Sequence, residues 1–169
     1  MNRNSKALII IPARGGSKRI KGKNIKLFGK KPLIQHTINY AYKNTNLVKR
    51  IIVSTDSVKI QKIANNFKKK LSPFLRPKEI SKSESSDFGF VEHSLKWLKI
   101  NENFIPEVVI ILRPTTPLRN KFLLKNMLKQ FNSKKFSSLR SARNVMHMNP
   151  FWMYRMSKKN KLTEAIKNK

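Results

Sequence analysis

A chain of 169 residues with 39% hydrophobic residues suits one domain with a proper core and is too apolar for a disordered tail. The absence of cysteine excludes disulfides and thiolate metal sites. No apolar run approaches bilayer thickness and Met1–Lys6 lacks a signal-peptide core, so a cytoplasmic protein without a membrane segment is expected. The formal charge of +30 comes from 38 Lys and Arg against 8 Asp and Glu. Such an excess suits nucleic-acid binding through phosphate neutralisation. Here, however, the bases run along the whole chain, and Lys, Asn and Ile are enriched together as low-GC codons would produce. Biased composition is the reading adopted.

In chain order, residues 7–12 form an apolar run bounded by Pro12, as in a strand buried on both faces. Residues 13–31 read as a loop punctuated by Gly15, Gly16, Gly22 and Gly29. Pro32 suits a first helical turn, and Leu33, Ile34, Thr37, Ile38, Ala41 and Tyr42 recur at helical spacing. A second buried strand, Ile51–Asp56, leads into a helix over about 58–69, then an extended piece, Pro73–Pro77, and a polar loop to Ser86. Asp87 suits the cap of a helix with Phe90, Val91, Ser94, Leu95 and Leu98 on its inner face. Val108–Leu112 reads as a third buried strand, followed by a helix over 120–131 and a short strand near Ser137–Ala142. Strands alternating with helices predict an α/β fold with a mostly parallel sheet covered on both faces. Ligands then gather beyond the carboxyl ends of the strands, where the loops after Pro12, Thr55 and Leu112 lie.

The loop from 13 to 24 sets Arg14, Lys18, Arg19, Lys21 and Lys23 among glycines, directly after a buried strand. Cations and exposed backbone N–H groups suit a polyphosphate. The loop is not a P-loop, because five residues instead of four separate Gly16 from Gly22 and Asn24 replaces the metal-binding hydroxyl. Ser54-Thr55-Asp56-Ser57 reads either as a helix cap or as a carboxylate near a metal or a ligand hydroxyl. In Arg113-Pro114-Thr115-Thr116-Pro117-Leu118-Arg119 two prolines fix the backbone, giving a rigid turn or a binding loop. His36, His93 and His147 have no metal-ligand spacing, and His36 and His93 read as structural. Trp97, Trp152 and the phenylalanines fit core positions better than base-stacking platforms.

Together these residues resemble the CMP–sialic acid synthetases, or acylneuraminate cytidylyltransferases. The resemblance rests on Ile11-Pro12-Ala13-Arg14-Gly15-Gly16-Ser17-Lys18-Arg19-Ile20, Gly22-Lys23-Asn24-Ile25 and Ile51-Ile52-Val53-Ser54-Thr55-Asp56. It continues through Leu75-Arg76-Pro77-Lys78-Glu79-Ile80 and Leu112-Arg113-Pro114-Thr115-Thr116-Pro117-Leu118-Arg119, in the family's order over residues 7 to about 156. It implies a Rossmann-like three-layer α/β/α nucleotidyltransferase fold and transfer of CMP from CTP to the anomeric hydroxyl of a nonulosonic, sialic-type acid. Pyrophosphate would leave with Mg²⁺ assistance. On the resemblance Arg14 and Lys23 hold the triphosphate and carry catalysis, Gly15, Gly16 and Ser17 offer backbone donors, and Asn24 helps fix the nucleotide. Ala13 and Arg76 join this nucleotide site, with Arg113 and Thr115 near the nucleotide–sugar junction.

Three departures from the family pattern shape the expectations. Ser83, followed by Glu84, stands where many relatives carry Asp. Arg113 stands where sialic acid enzymes often have Gln, which brings pseudaminic and legionaminic acids into view. After Glu107 the only acid is Glu164, so the Asp-x-Asp metal pair of the relatives is missing. A single domain over 1–169 is therefore expected, C-terminally truncated, with an incomplete dimerisation segment starting at about 144. The expected partners are CTP, an acidic nine-carbon sugar and, at full length, a second copy of the chain, without membrane or nucleic acid. The alternative functions are a CTP-binding remnant without catalysis and, more remotely, a basic nucleic-acid-binding protein.

Overall fold

The computed structural model describes residues 6–17, 19–133, 136–142, 154–156 and 162–164. Its elements are β1 (Ala7–Pro12), β2 (Leu27–Phe28), β3 (Lys31–Pro32), α1 (Leu33–Tyr42), β4 (Arg50–Ser54), α2 (Val58–Phe67), α3 (Asp87–Glu102), β5 (Val108–Ile111), α4 (Leu123–Ser133), β6 (Tyr154–Met156) and β7 (Leu162–Glu164). The chain divides into two compact units, Met1–Lys135 and Phe136–Lys169. The first holds a parallel sheet in the order β4-β1-β5. The described part of the second consists of residues 136–142 and the antiparallel pair β6-β7. Among the described residues no helix is long and apolar enough to cross a membrane.

β1 is the centre of the sheet because its sequence allows nothing else. Ala7, Leu8, Ile9, Ile10 and Ile11 all have 0% exposure, so both faces and both edges of the strand are covered. Side chains alternate across a strand with a period of two. Ala7, Ile9 and Ile11 accordingly join one cluster, with Ile34 and Ile38 of α1, Ile60 and Ala64 of α2, and Leu124 and Leu128 of α4. Leu8 and Ile10 join the other, with Phe90 and Leu98 of α3. The expected layering of helices on both faces is thus present. The chain leaves β1 towards β4 through α1 on one face and reaches β5 after α3 on the other. Such a reversal makes a crevice at the carboxyl ends of the strands.

Several local expectations need correction. The stretch 13–31 is not all loop: Lys23–Ile25 forms one 3₁₀ turn, and β2 and β3 make a small hairpin. Pro32 is extended and lies just before the helix, ending that hairpin. Ser86, not Asp87, holds the N-cap position of α3, leaving Asp87 in the first turn. β5 is half-buried, with Ile111 38% exposed, because among the described residues it pairs along one edge only. Residues 137–142 form no strand, since Leu139 is their one large apolar residue and they have no face to bury. His147, Trp152 and most of the stretch from 144 to 169 lie outside the described residues.

Arg50 ties the start of β4 to the end of α3. Its Nε and Nη2 donate to the two carboxylate oxygens of Glu102 at 2.9 and 2.7 Å. These bonds hold the Glu102 carboxyl below its ordinary value of 4.5, against the opposing effect of burial. A depressed carboxyl stabilises the fold above its unfolded pKa and loses that contribution as pH falls through the folded one. Glu102→Gln should therefore destabilise the protein at neutral pH, with the difference from the parent closing below about pH 4.5 in urea titrations. Ile10→Ala, which empties a fully buried position, should cost about 2–5 kcal/mol at any pH in the same assay.

Candidate functional site

The site begins where β1 runs out. The Ala13 N–H donates to the Ser54 carbonyl at 3.0 Å, carrying the parallel ladder one step past Pro12. The Gly15 N–H then donates to Oδ1 of Asp56 at 2.8 Å, across from the next strand. A Cβ on Gly15 would lie 3.0 Å from Cβ of Ser57, so any side chain here would press on the cap of α2. Ser57 caps α2, accepting from the Ile60 N–H at 3.5 Å. The turn after β4 therefore does cap a helix, through Ser57, while the Asp56 carboxylate anchors the glycine loop.

The far end of the loop closes back on its start. Gly22 takes the left-handed φ of 65° that admits the 3₁₀ turn at Lys23–Ile25. That turn buries Asn24, whose Nδ2 donates to the Arg14 carbonyl at 2.9 Å. The loop is thus braced at Gly15 and at Asn24. The Ser17 N–H, expected to face a ligand, donates to the Gly15 carbonyl at 3.0 Å. Lys18 lies outside the described residues.

A cavity of about 340 Å³ opens beside this loop, at the carboxyl ends of the strands. Arg14, Ser17, Lys23 and Asn24 line it from the loop after β1. Arg76 lines it from the segment after β4, and Arg113 and Thr115 from the turn after β5. Of the residues expected at the site, Ala13, Gly15 and Gly16 are not in the lining and instead shape the loop behind it. The sequence reading missed the opposite wall, built by Ser81–Ser83 and Ser85–Asp87 with Phe90. A serine-rich stretch just before a helix was the available clue. Arg119, paired with Arg113 in the motif, turns inward instead. Its Nη1 donates to Thr37 Oγ1 at 3.2 Å, its Nη2 donates to the Arg113 carbonyl, and its guanidinium lies 5.6 Å from the Tyr40 ring centroid.

The cavity is strongly positive. Arg76 is only 6% exposed, sits 5.7 Å from the Phe90 ring centroid, and has a buried Nε without a hydrogen-bond partner among the described residues. Burial pushes its guanidinium below the ordinary value, with Asp56 pulling it back and Arg14 adding to the push. Burial and then the charge of Arg76 push the neighbouring His93 imidazole below its ordinary 6.5. His93 packs edge-on against Phe74, which suits the structural role expected of it. His36 is likewise structural, its Nε2 donating to the Phe28 carbonyl at 2.8 Å.

Residues 8–166 match the family model described as Cytidylyltransferase. The chain belongs to the cytidylyltransferase family. It is 39% identical over 133 residues to the pseudaminic acid cytidylyltransferase of Campylobacter jejuni, covering 78% of this chain and 56% of that protein. Identity to the CMP-N,N'-diacetyllegionaminic acid synthase of Legionella pneumophila is 37%, covering 66% and 47% of the two chains. With the N-acylneuraminate cytidylyltransferase of Escherichia coli the identity is 34%, covering 69% and 26%. The chain thus spans about half the length, or less, of these relatives. Its fold is similar to that of CMP:2-keto-3-deoxy-manno-octonic acid synthetase complexed with CTP. That likeness has a TM-score of 0.61 at 22% identity, covering 78% of this chain and 49% of that one. The expected α/β nucleotidyltransferase architecture is therefore the observed one.

The loop yields a paired prediction from its glycines. Gly15→Ala puts a methyl group against Ser57 and should cost about 1–3 kcal/mol of stability, whereas Gly16→Ala, with nothing within 4 Å, should stay within about 0.5 kcal/mol of the parent. Urea titrations of the two variants check both halves.

Proposed function

We propose that this chain carries the CTP site of an enzyme that transfers CMP to the anomeric hydroxyl of a nonulosonic acid. The observation that supports this most is the convergence of Arg14, Lys23, Arg76 and Arg113 on one cavity at the strand ends of a cytidylyltransferase-family sheet. In the proposed step the anomeric hydroxyl gives up its proton to water as its oxygen bonds to the α-phosphorus and the bond from that phosphorus to the β-phosphate oxygen breaks, releasing pyrophosphate. Charge builds on the phosphoryl oxygens, and fixed cations stabilise it without reorganising. Arg14 and Lys23 take the triphosphate, Arg76 adds its positive charge beside the nucleotide, and Arg113 and Thr115 face the sugar. The relatives named for pseudaminic, legionaminic and acylneuraminic acids support an acidic nine-carbon sugar as acceptor.

Magnesium belongs to this reading through the family resemblance. Among the described residues no group of three His, Asp or Glu could hold a metal ion, and the carboxylate lining the cavity, that of Asp87, is paired with Arg113. The described residues do not fit a protein-held magnesium ion, and no step here is routed through one. A homodimer is part of the same reading.

Incubation with CTP and each of the three acids should give the CMP-sugar and pyrophosphate in equal amounts, detectable by phosphorus NMR. Arg14→Ala or Lys23→Ala should each lower CTP affinity at least about tenfold, since each removes a charged phosphate contact. CTP binding without turnover would reduce the chain to a nucleotide-binding unit. Unchanged affinity in both variants would contradict the site.

A further inference from the structure

The cavity wall carries Arg14, Lys23, Arg76, Lys82 and Arg113, and among the described residues its one carboxylate is Asp87. That carboxylate is engaged: Oδ2 of Asp87 accepts from Nη2 of Arg113. Both side chains are about half exposed, at 49% and 52%. An ion pair this open to water contributes little, so exchanging its partner is cheap. The Arg113 backbone, meanwhile, does not have to move. Its carbonyl accepts from Arg119 Nη2 and from the Thr116 N–H at 3.3 Å, which fixes the turn while leaving the guanidinium free to swing. Asp87 also tolerates release, because its place in the first turn of α3 favours a negative charge in any case.

We infer that Asp87 is a specificity-determining residue: its carboxylate occupies the Arg113 guanidinium until the carboxylate of the acid sugar displaces it. This rests on the proposed function. The order of the strands supports the assignment of Arg113 to the sugar and not to the triphosphate. Arg76 follows β4 on one flank, Arg14 and Lys23 follow the central β1, and Arg113 follows β5 on the other flank. A triphosphate held by the central loop leaves Arg113 on the flank away from Arg76, for the sugar that attacks the α-phosphorus. The geometry that meets a carboxylate in the free protein is the geometry a planar guanidinium offers to any carboxylate. A neutral sugar has no group to complete the exchange, so it would meet Arg113 already satisfied.

The test is calorimetric binding to the full chain, with a non-hydrolysable CTP analogue bound. The probes are N-acetylneuraminic, pseudaminic and legionaminic acids and the methyl ester of the one that binds best. Asp87→Asn should tighten the acid about three- to fivefold, as removal of an exposed competing ion pair allows. It should leave the ester unchanged and tighten the CTP analogue by a smaller factor than the acid, because losing one negative charge from the wall favours any polyanion. Arg113→Gln should erase the preference for acid over ester. Asp87→Ser, with circular dichroism as the check on folding, serves as the second variant. Acid binding that is unchanged or weaker in both Asp87 variants overturns the inference while the proposed function stands. Tightening of the CTP analogue or the ester by the same factor also overturns it, and assigns Arg113 to phosphate or to general shape. A parent protein that binds the CTP analogue but none of the acids sinks the proposed acceptor, and this inference with it.

Discussion

Everything at the site depends on the complete burial of β1. Five consecutive side chains, Ala7–Ile11, are withdrawn from water, and each edge of the strand is laddered to a parallel neighbour. A strand so enclosed can deliver the chain to solvent only at its ends. Its carboxyl end therefore opens between the ends of β4 and β5. The loop from Ala13 to Asn24 has no other place to go, and the segments after β4 and β5 arrive beside it. Three stretches of sequence separated by dozens of residues thus furnish a single wall.

That wall gathers cations that repel one another, and the protein offsets the repulsion locally. Asp56 serves twice, accepting the Gly15 N–H and drawing on Arg76. The Phe90 ring lies against the Arg76 guanidinium, and Asp87 pairs with Arg113. None of these partners cancels the excess, so the cavity remains positive and short of acceptors. A polyanion with several phosphoryl oxygens answers both shortages at once. The chain-wide basicity is a different matter, because surface lysines add field without adding geometry.

The sheet was legible in the sequence because its signals are local. Apolar runs such as Ala7–Ile11 and Ile51–Val53 read as buried strands because they are short, rich in β-branched residues and bounded by turn residues, and the helix between them shows the period of 3.6. The order of motifs, read as a family resemblance, put Arg14, Lys23, Arg76 and Arg113 at one site, and the four line one cavity. What escaped the sequence were pairings across long separations. Nothing in Ser54-Thr55-Asp56-Ser57 announces that its carboxylate reaches a glycine 41 residues earlier. Nor does Asp87, at a helix start where caps are common, announce a partner 26 residues later. Both omissions have one cause: a short polar side chain near a helix start has a local use, and that use hid the distant one.

The central claim is that this cavity is a cytidine triphosphate site and not merely a cationic surface. Calorimetric titration of the protein with CTP, UTP, ATP and GTP across a salt series tests it most directly. The account predicts that CTP binds at least about tenfold more tightly than the other three and keeps that preference as salt rises, because shape and fixed donors are not screened as free charge is. Equal affinities for all four nucleotides, fading together with added salt, would contradict it.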